Sequence, residues 1–426
     1  MPTFPAFSLR AALRSPLLPY WLLIGLLPFG RSAEVATCLC LVGTGLLFAR
    51  HPRALEDHAG ARLLLWLLGG YIGAALISAV DSVAPGKSWA TVAALSRFVP
   101  LGLYACFAIR RAEKLRAVYW AVAITVALWA VDAWMQAVAG LGLRGHSDPE
   151  RLSGIFGAEN LKLGPALSVL SPFVLWAARE RWRQLGLLGA FVLLLGPILL
   201  SGSRASWLCY GLVGLAFAWR EARAPGRFMV WCAAGAIILG LAGAVAWKTS
   251  SRFQARVEHT LVVFQGSNAA LDTALTGRLD IWRTSLKMIE AHPVNGVGVR
   301  AYRYAYRQFA PPSDHFLTAE TCGEGEGACH AHQLLLEILT ETGVIGLFLW
   351  LAAAVLALRA WHRAGPAREA MFPASVALMA MLFPLNTHLA FYSAWWGLLF
   401  AWLLGLWCAA LAVHGPWHSA RVGDAA

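Results

Sequence analysis

Runs of apolar residues, roughly 16–25 long, constrain this chain more than any other feature, because a helix of that length crosses the hydrocarbon core of a bilayer. Twelve such runs lie near 15–30, 34–49, 63–80, 89–109, 117–139, 161–178, 185–200, 205–219, 228–247, 333–358, 370–388 and 394–413. Of the 426 residues, 58% are hydrophobic and 14% charged, whereas soluble domains carry about a quarter charged residues. This excludes a soluble enzyme, a disordered chain and, despite the net charge of +12, a nucleic-acid-binding protein. The expected fold is an all-α integral membrane protein with about twelve transmembrane helices and one large loop domain. Residues 1–247 would hold helices one to nine, 248–332 a polar loop with amphipathic helices, and 333–426 helices ten to twelve with the C-terminal tail.

Loop charges set the orientation, since Lys and Arg collect on the cytoplasmic side. With the N-terminus inside, that side holds nineteen basic and seven acidic residues, a surplus equal to the whole net charge; the remaining sixteen of each sign cancel. The basic balance is therefore a topology signal. Both termini are expected inside and the long loop outside, which in a bacterium is the periplasm. Residues 1–30 resemble a signal peptide, but the apolar run continues into further spans, so an uncleaved first helix is expected. Six cysteines fall in spans and read as small apolar residues. Cys322 and Cys329 lie in the loop on the oxidising side. A disulfide between them would close a tight turn before His330 and His332; two free thiols or metal ligation are the other readings.

Four stretches on the outer side break the pattern. Arg204, in Ser201-Gly202-Ser203-Arg204, sits at a helix junction with almost no loop to solvate it. It either snorkels to headgroups or marks a substrate path. Thr276-Gly277-Arg278 opens an amphipathic helix whose Leu279, Trp282, Leu286 and Ile289 share a face. Thr276 is a plausible N-cap, and Arg278 would lie in the first turn, where backbone N–H groups favour an anion. His292-Pro293 ends that helix, and a turn at Asn295-Gly296-Val297-Gly298 leads to Arg300. Where the loop re-enters the membrane, Cys329-His330-Ala331-His332-Gln333 puts an imidazole, the group best matched to proton transfer near neutral pH, at a span's mouth. A lone interfacial histidine is more often structural, and histidines at i and i+2 do not share a helical face, which disfavours a zinc pair. Finally, Arg151-Leu152-Ser153-Gly154-Ile155-Phe156-Gly157 is either a plain connection or part of a substrate groove.

Together these segments resemble the O-antigen ligase/O-antigen polymerase family of bacterial envelope glycosyltransferases. The resemblance rests on Ser201-Gly202-Ser203-Arg204, Gly277-Arg278-x-x-x-Trp282 with His292-Pro293-x-x-Gly296-x-Gly298, Ala331-His332-x-x-Leu335…Glu341-x-Gly343-x-x-Gly346, and the Arg151 loop. It covers about 150–350 and is closest to the lipopolysaccharide O-antigen ligases. Gln333 departs from it, standing where relatives often carry Asn.

The resemblance implies an all-helical membrane glycosyltransferase of the GT-C type in the bacterial inner membrane. Such an enzyme moves a glycan from undecaprenyl pyrophosphate to a sugar hydroxyl of lipid A–core, with inversion and with no nucleotide, metal or other cofactor. Arg204 and Arg278, with Arg300 as a third, would bind the pyrophosphate, since a guanidinium grips phosphate oxygens bidentately and stays protonated. His332 would take the hydroxyl proton, while Arg151 and Trp282 are candidates for lining the groove. A polymerase or a protein O-oligosaccharyltransferase of the same family would share the donor chemistry. The rival of another class is a transporter with Arg204 and Asp132 along its path.

Overall fold

The structure is a computed structural model that describes residues 15–56, 58–146, 151–158, 160–265, 275, 277–317, 322 and 327–414. Its regular structure is helical throughout the described residues, apart from an isolated bridge between Gly142 and Gly145. The first part of the chain forms α1 (Leu18–Leu26), α2 (Ala33–Arg50), α3 (Ala59–Ser78), α4 (Pro85–Leu95), α5 (Phe98–Ala108), α6 (Ala112–Ala139), α7 (Leu163–Leu200), α8 (Arg204–Ala222) and α9 (Pro225–Thr249). The interval read as a polar loop holds α10 (Ser251–Leu261), α11 (Arg278–Ala291) and α12 (Tyr302–Phe309). The chain closes with α13 (Leu334–Arg363), α14 (Ala367–Met381) and α15 (Ala394–His414).

Eight helical stretches are long and apolar enough to cross a membrane among the described residues: α2, α3, α4 with α5, α6, α7, α9, α13 and α15. The chain is a multi-pass membrane protein. Of the other runs read as spans, α1 has 9 residues and α14 has 15, while α8 carries Arg204, Arg220 and Glu221. The 38 residues of α7 are too many for one crossing, and the helix is interrupted at Trp182 and Arg183, where Arg183 has φ 58°. Gly164, near its start, packs against the Ser201 side chain just past its end. The two ends therefore meet, and α7 is a hairpin of two antiparallel helices, as the separate runs at 161–178 and 185–200 anticipate. Its ends, with α10 to α12, define what we call the loop face.

Burial orders the bundle. Most of α15 is buried and none of the apolar window of α9 is, so α15 is the central post and α9 the lipid-facing periphery. Around α15, the Trp402 indole donates to the Tyr20 carbonyl at 2.8 Å, the Tyr20 hydroxyl donates back to the Trp402 carbonyl, and the rings stack at 5.1 Å. Helix α5 crosses α15 at Gly102 and Gly405, where a methyl on Gly405 would sit 2.7 Å from the Gly102 Cα. Small residues let backbones approach where lipid supplies no hydrophobic drive.

Three of the expected spans have different boundaries in the structure. The run at 89–109 is split at Ser96 and Arg97 into α4 and α5. The run at 370–388 stops as helix at Met381, because Pro384 follows and cannot continue it; residues 382–393 form a loop. The run at 333–358 is broken at Gly343, with φ 61° and ψ −165°, so its first residues form a separate helical piece.

Candidate functional site

The break at Gly343 is where the segment 292–300 docks. Four backbone hydrogen bonds join them: Val297 N–H to Thr340 at 2.7 Å, Gly298 N–H to Glu341 at 3.1 Å, Val344 N–H to Pro293 at 2.9 Å and Ile345 N–H to Val294 at 3.3 Å. The opened helix supplies the carbonyls and N–H groups that a regular one would have used on itself. Only glycine tolerates this proximity: a Cβ on Gly343 would stand 2.1 Å from the Val294 carbonyl oxygen, and one on Gly296 2.5 Å from the Glu341 backbone. The turn delivers Arg300 in a left-handed conformation, φ 58°, with its N–H on Glu341 Oε2 at 2.9 Å.

Helix α11 packs beside α13 and holds the next segment in place. The Trp282 indole N–H donates to the Ala331 carbonyl at 3.1 Å, fixing the residue before His332. Cys322 and Cys329 are joined as a disulfide, Cα–Cα 5.4 Å, two residues before that carbonyl. His332 has φ 53°, a strained conformation for a residue with a side chain, and lies in irregular chain just ahead of α13. Its Nδ1 lies 2.8 Å from the Thr387 carbonyl oxygen. A carbonyl only accepts, so Nδ1 carries the hydrogen and the neutral ring keeps its lone pair on Nε2. Burial, and after it the Arg278 charge, pull the His332 pKa down to about 4. The ring is therefore a free base at neutral pH.

Two further histidines stand beside it. The His330 and His332 rings are 3.9 Å apart, contrary to the expectation that positions i and i+2 diverge. Helical periodicity does not govern a segment that is not helical. His330 is held neutral by burial and, among its charged neighbours, by Arg300, and its Nε2 is buried with no hydrogen-bond partner in the structure. His388 was concealed in the sequence, where the apolar run was read through Pro384 into the loop. Its pKa falls to about 3, through burial and then the Arg278 and Arg151 charges.

The arginines converge from separate segments. Arg204 opens α8 after a turn capped by Ser203, whose hydroxyl accepts the Ser206 N–H at 3.3 Å; Arg204 itself donates to Thr260 of α10 at 3.1 Å. Gly202 in that turn is flanked by Arg151 and by Arg256 of α10, a cation that nothing in the sequence singled out. Arg278 opens α11. Its cap position is held by Gly277, φ 74°; Thr276, expected there, lies outside the described residues. Burial and the charges of Arg204 and Arg151 lower the Arg278 pKa to about 10, which leaves it a cation. Arg151, Arg204 and Arg278 thus form one electropositive group, which reaches His332 through Arg278 and His388 through Arg278 and Arg151. Arg300 lies at its edge, near enough to Glu337 and Glu341 of α13 to interact with both carboxylates. Such a group is destabilising on its own and favours an anion between its members.

Each acid nearby has a scaffolding task. Glu337 Oε1 accepts the Phe391 N–H at 2.7 Å and anchors the loop that carries Thr387 and His388. Asp132, the path residue of the transporter reading, accepts the Leu143 N–H at 2.7 Å and packs against Gly142 and Gly154. With Gln136, which accepts the N–H of Gly154 at 2.7 Å, it holds the 140–146 and 151–157 segments, the second of which carries Arg151.

The model of the O-antigen ligase family matches residues 189–351. The match covers 163 of the 426 residues, the part from the second half of α7 into α13. The matched segment includes Arg204, Arg278, Arg300 and His332, while Arg151 and His388 lie outside it. Proteins of this family are membrane glycosyltransferase-like ligases or polymerases. A search of curated proteins finds no match to the chain.

Proposed function

We propose that this protein is an O-antigen ligase: it transfers a glycan from undecaprenyl pyrophosphate to a sugar hydroxyl of lipid A–core at the periplasmic face of the inner membrane. The observation that carries the reading is the His332 tautomer. With Nδ1–H committed to Thr387, Nε2 is a base beside a cluster of arginines and within a segment that matches the O-antigen ligase family. The acceptor hydroxyl gives its proton to Nε2 as its oxygen forms a bond to the donor's anomeric carbon. The bond from that carbon to the phosphate oxygen breaks, and the electron pair leaves with the pyrophosphate. Attack opposite the leaving group inverts the anomeric centre. Arg204 and Arg278, helped by Arg151 and Arg300, neutralise the departing charge. Guanidinium groups are suited to this because they present several donors in a fixed plane and need no reorganisation as charge develops. The donor is already activated, so this scheme needs no nucleotide and no divalent cation.

The overall arrangement in this reading is a twelve-span, GT-C-type membrane enzyme with both termini cytoplasmic. The hairpin in α7 supports the higher span count, and the outer helix ends are where a lipid-linked pyrophosphate rests while its tail stays in the bilayer.

The test is His332→Ala in cells lacking the native gene, with O-antigen on lipopolysaccharide scored by gel and transfer assayed with the purified protein. Transfer should fall by about 10²–10⁴-fold, the usual worth of a general base. Normal laddering at wild-type protein levels would refute the assignment. Shortened chains that are still attached would identify a polymerase, and glycan on Ser or Thr a protein O-oligosaccharyltransferase. A strict requirement for divalent cation would contradict the arginine clamp.

A further inference from the structure

A cavity of about 760 Å³ opens between the α1–α2 junction, α4, the α4–α5 break and the start of α15. Five cations line it, Arg31, Lys87, Arg97, Lys162 and Arg300, against one carboxylate, Glu34. That carboxylate is already committed, since Arg97 Nη2 bonds Glu34 Oε1 at 2.9 Å. Arg97 Nε is buried and has no hydrogen-bond partner in the structure. Burial lowers the pKa of Lys162, whose ammonium rests 5.3 Å from the Trp395 ring centre. The rest of the lining is apolar or aromatic, including Leu27, Leu95, Phe98 and Leu398. Of the arginines and histidine singled out in the sequence, Arg300 alone lines this cavity among the described residues.

We propose that this cavity seats the phosphorylated sugar headgroup of the acceptor glycolipid. The inference rests on the transferase reading above. Beyond Arg97, paired with Glu34, and Arg300, which Glu337 and Glu341 partly offset, the cavity holds Arg31, Lys87 and Lys162 with no further carboxylate in its lining, and a ligand with several negative charges relieves their repulsion. Their spread, from Arg31 and Lys87 at the exposed rim to half-buried Lys162 and Arg300, fits a headgroup with phosphates at more than one position. The apolar lining suits a molecule whose remaining part is lipid. The volume lies in the range of small-molecule sites.

The donor's pyrophosphate has a different seat, because Arg278 acts on His332 and, with Arg151, on His388, Arg204 acts on Arg278, and none of the three lines this cavity. Arg300 joins the two regions: it lines the cavity and its charge reaches His330, whose ring touches that of His332. An acceptor held here presents its sugar toward the base from the side the donor does not occupy.

The test uses the full chain in nanodiscs, with rough lipopolysaccharide that lacks O-antigen, the same material after chemical dephosphorylation, and phosphatidylglycerol as competitor. The Arg31→Gln/Lys87→Gln double variant removes two exposed rim charges, so its fold should persist, and its melting temperature checks this. Lys162→Gln provides a second, deeper probe. Either variant should bind phosphorylated rough lipopolysaccharide about tenfold more weakly and raise the acceptor KM by the same factor, with donor KM unchanged. Dephosphorylated acceptor should bind wild type and variants equally weakly. Unchanged acceptor binding in both variants, or a shift in donor KM, would overturn the proposal. So would displacement of the acceptor by phosphatidylglycerol at matching concentration, which would make this a seat for bulk anionic lipid. Direct binding separates this idea from the reading it rests on. Acceptor binding that depends on these charges without glycan transfer would sink the transferase and leave the seat, whereas normal transfer with unaffected variants would sink the seat alone.

Discussion

Acidifying the medium should leave glycan transfer nearly untouched through the range where an ordinary histidine would stop it. A base at the usual value of about 6.5 is roughly nine-tenths protonated at pH 5.5. His332, pulled to about 4 by burial and by the Arg278 charge, is still neutral in about 97% of molecules at that pH. Its kcat/KM should therefore reach half its plateau only near pH 4. The depressed value that protects activity costs stability, although both fall as the medium is acidified. A histidine whose folded value lies below its unfolded one costs stability as pH falls from about 6.5 toward the folded value, and for His332 this amounts to about 2 kcal/mol at pH 5. His330 and His388 are depressed in the same direction and add to the loss. The assay is thus initial-rate transfer with purified lipid-linked donor and rough lipopolysaccharide, run from pH 4.5 to 8, with a melting temperature at each pH to separate titration from unfolding. His332→Ala measured alongside fixes the background that the base does not control. An acid limb centred at 6 to 6.5 on a protein that is still folded would refute the claim that buried surroundings and a neighbouring guanidinium keep this imidazole neutral.

Other substitutions test the supporting structure. Gly343→Ala places a methyl 2.1 Å from the Val294 oxygen at a backbone angle L-residues avoid, and should cost about 3 kcal/mol or more with loss of transfer. Gly240→Ala on α9, with open space around it, should be neutral to slightly stabilising in the same melting assay. Arg278→Lys keeps a charge but loses the planar fork, so it should raise donor KM and lower kcat, less severely than Arg278→Ala; identical kinetics for the two would argue against bidentate phosphate contact. Trp282→Phe deletes the bond to the Ala331 carbonyl, worth about 1 kcal/mol. It should lower kcat several-fold with little change in donor KM, and an unchanged kcat would show that the bond does not position His332.

Much of the site was legible in the sequence because membrane topology is written in coarse features. Counting Lys and Arg by loop puts Arg204, Arg278 and His332 on one side, and the structure brings them within electrostatic range of one another. What stayed hidden lies where hydropathy averages over local chemistry. Arg97 is a single charge inside an apolar run, and only the break between α4 and α5 exposes it to Glu34. His388 vanished into a run that continues past Pro384, a proline that could have marked the helix end. The meeting of His330 with His332 depends on a left-handed residue, which no periodicity reports. Gly343 was noted as part of a motif, but its purpose, opening the helix to receive the 292–300 turn, needs both partners in view.

That union has an outcome for how such a chain can change. All four bonds that fasten the Pro293–Gly298 strip to α13 are made by peptide groups, so exchanges of side chains leave the fastening whole as long as Gly296, Gly298 and Gly343 stay glycine. Residues of α11 and α12 away from that strip can change while His332 and its cationic neighbours keep their alignment. Chemistry and selectivity are thereby free to evolve at separate speeds.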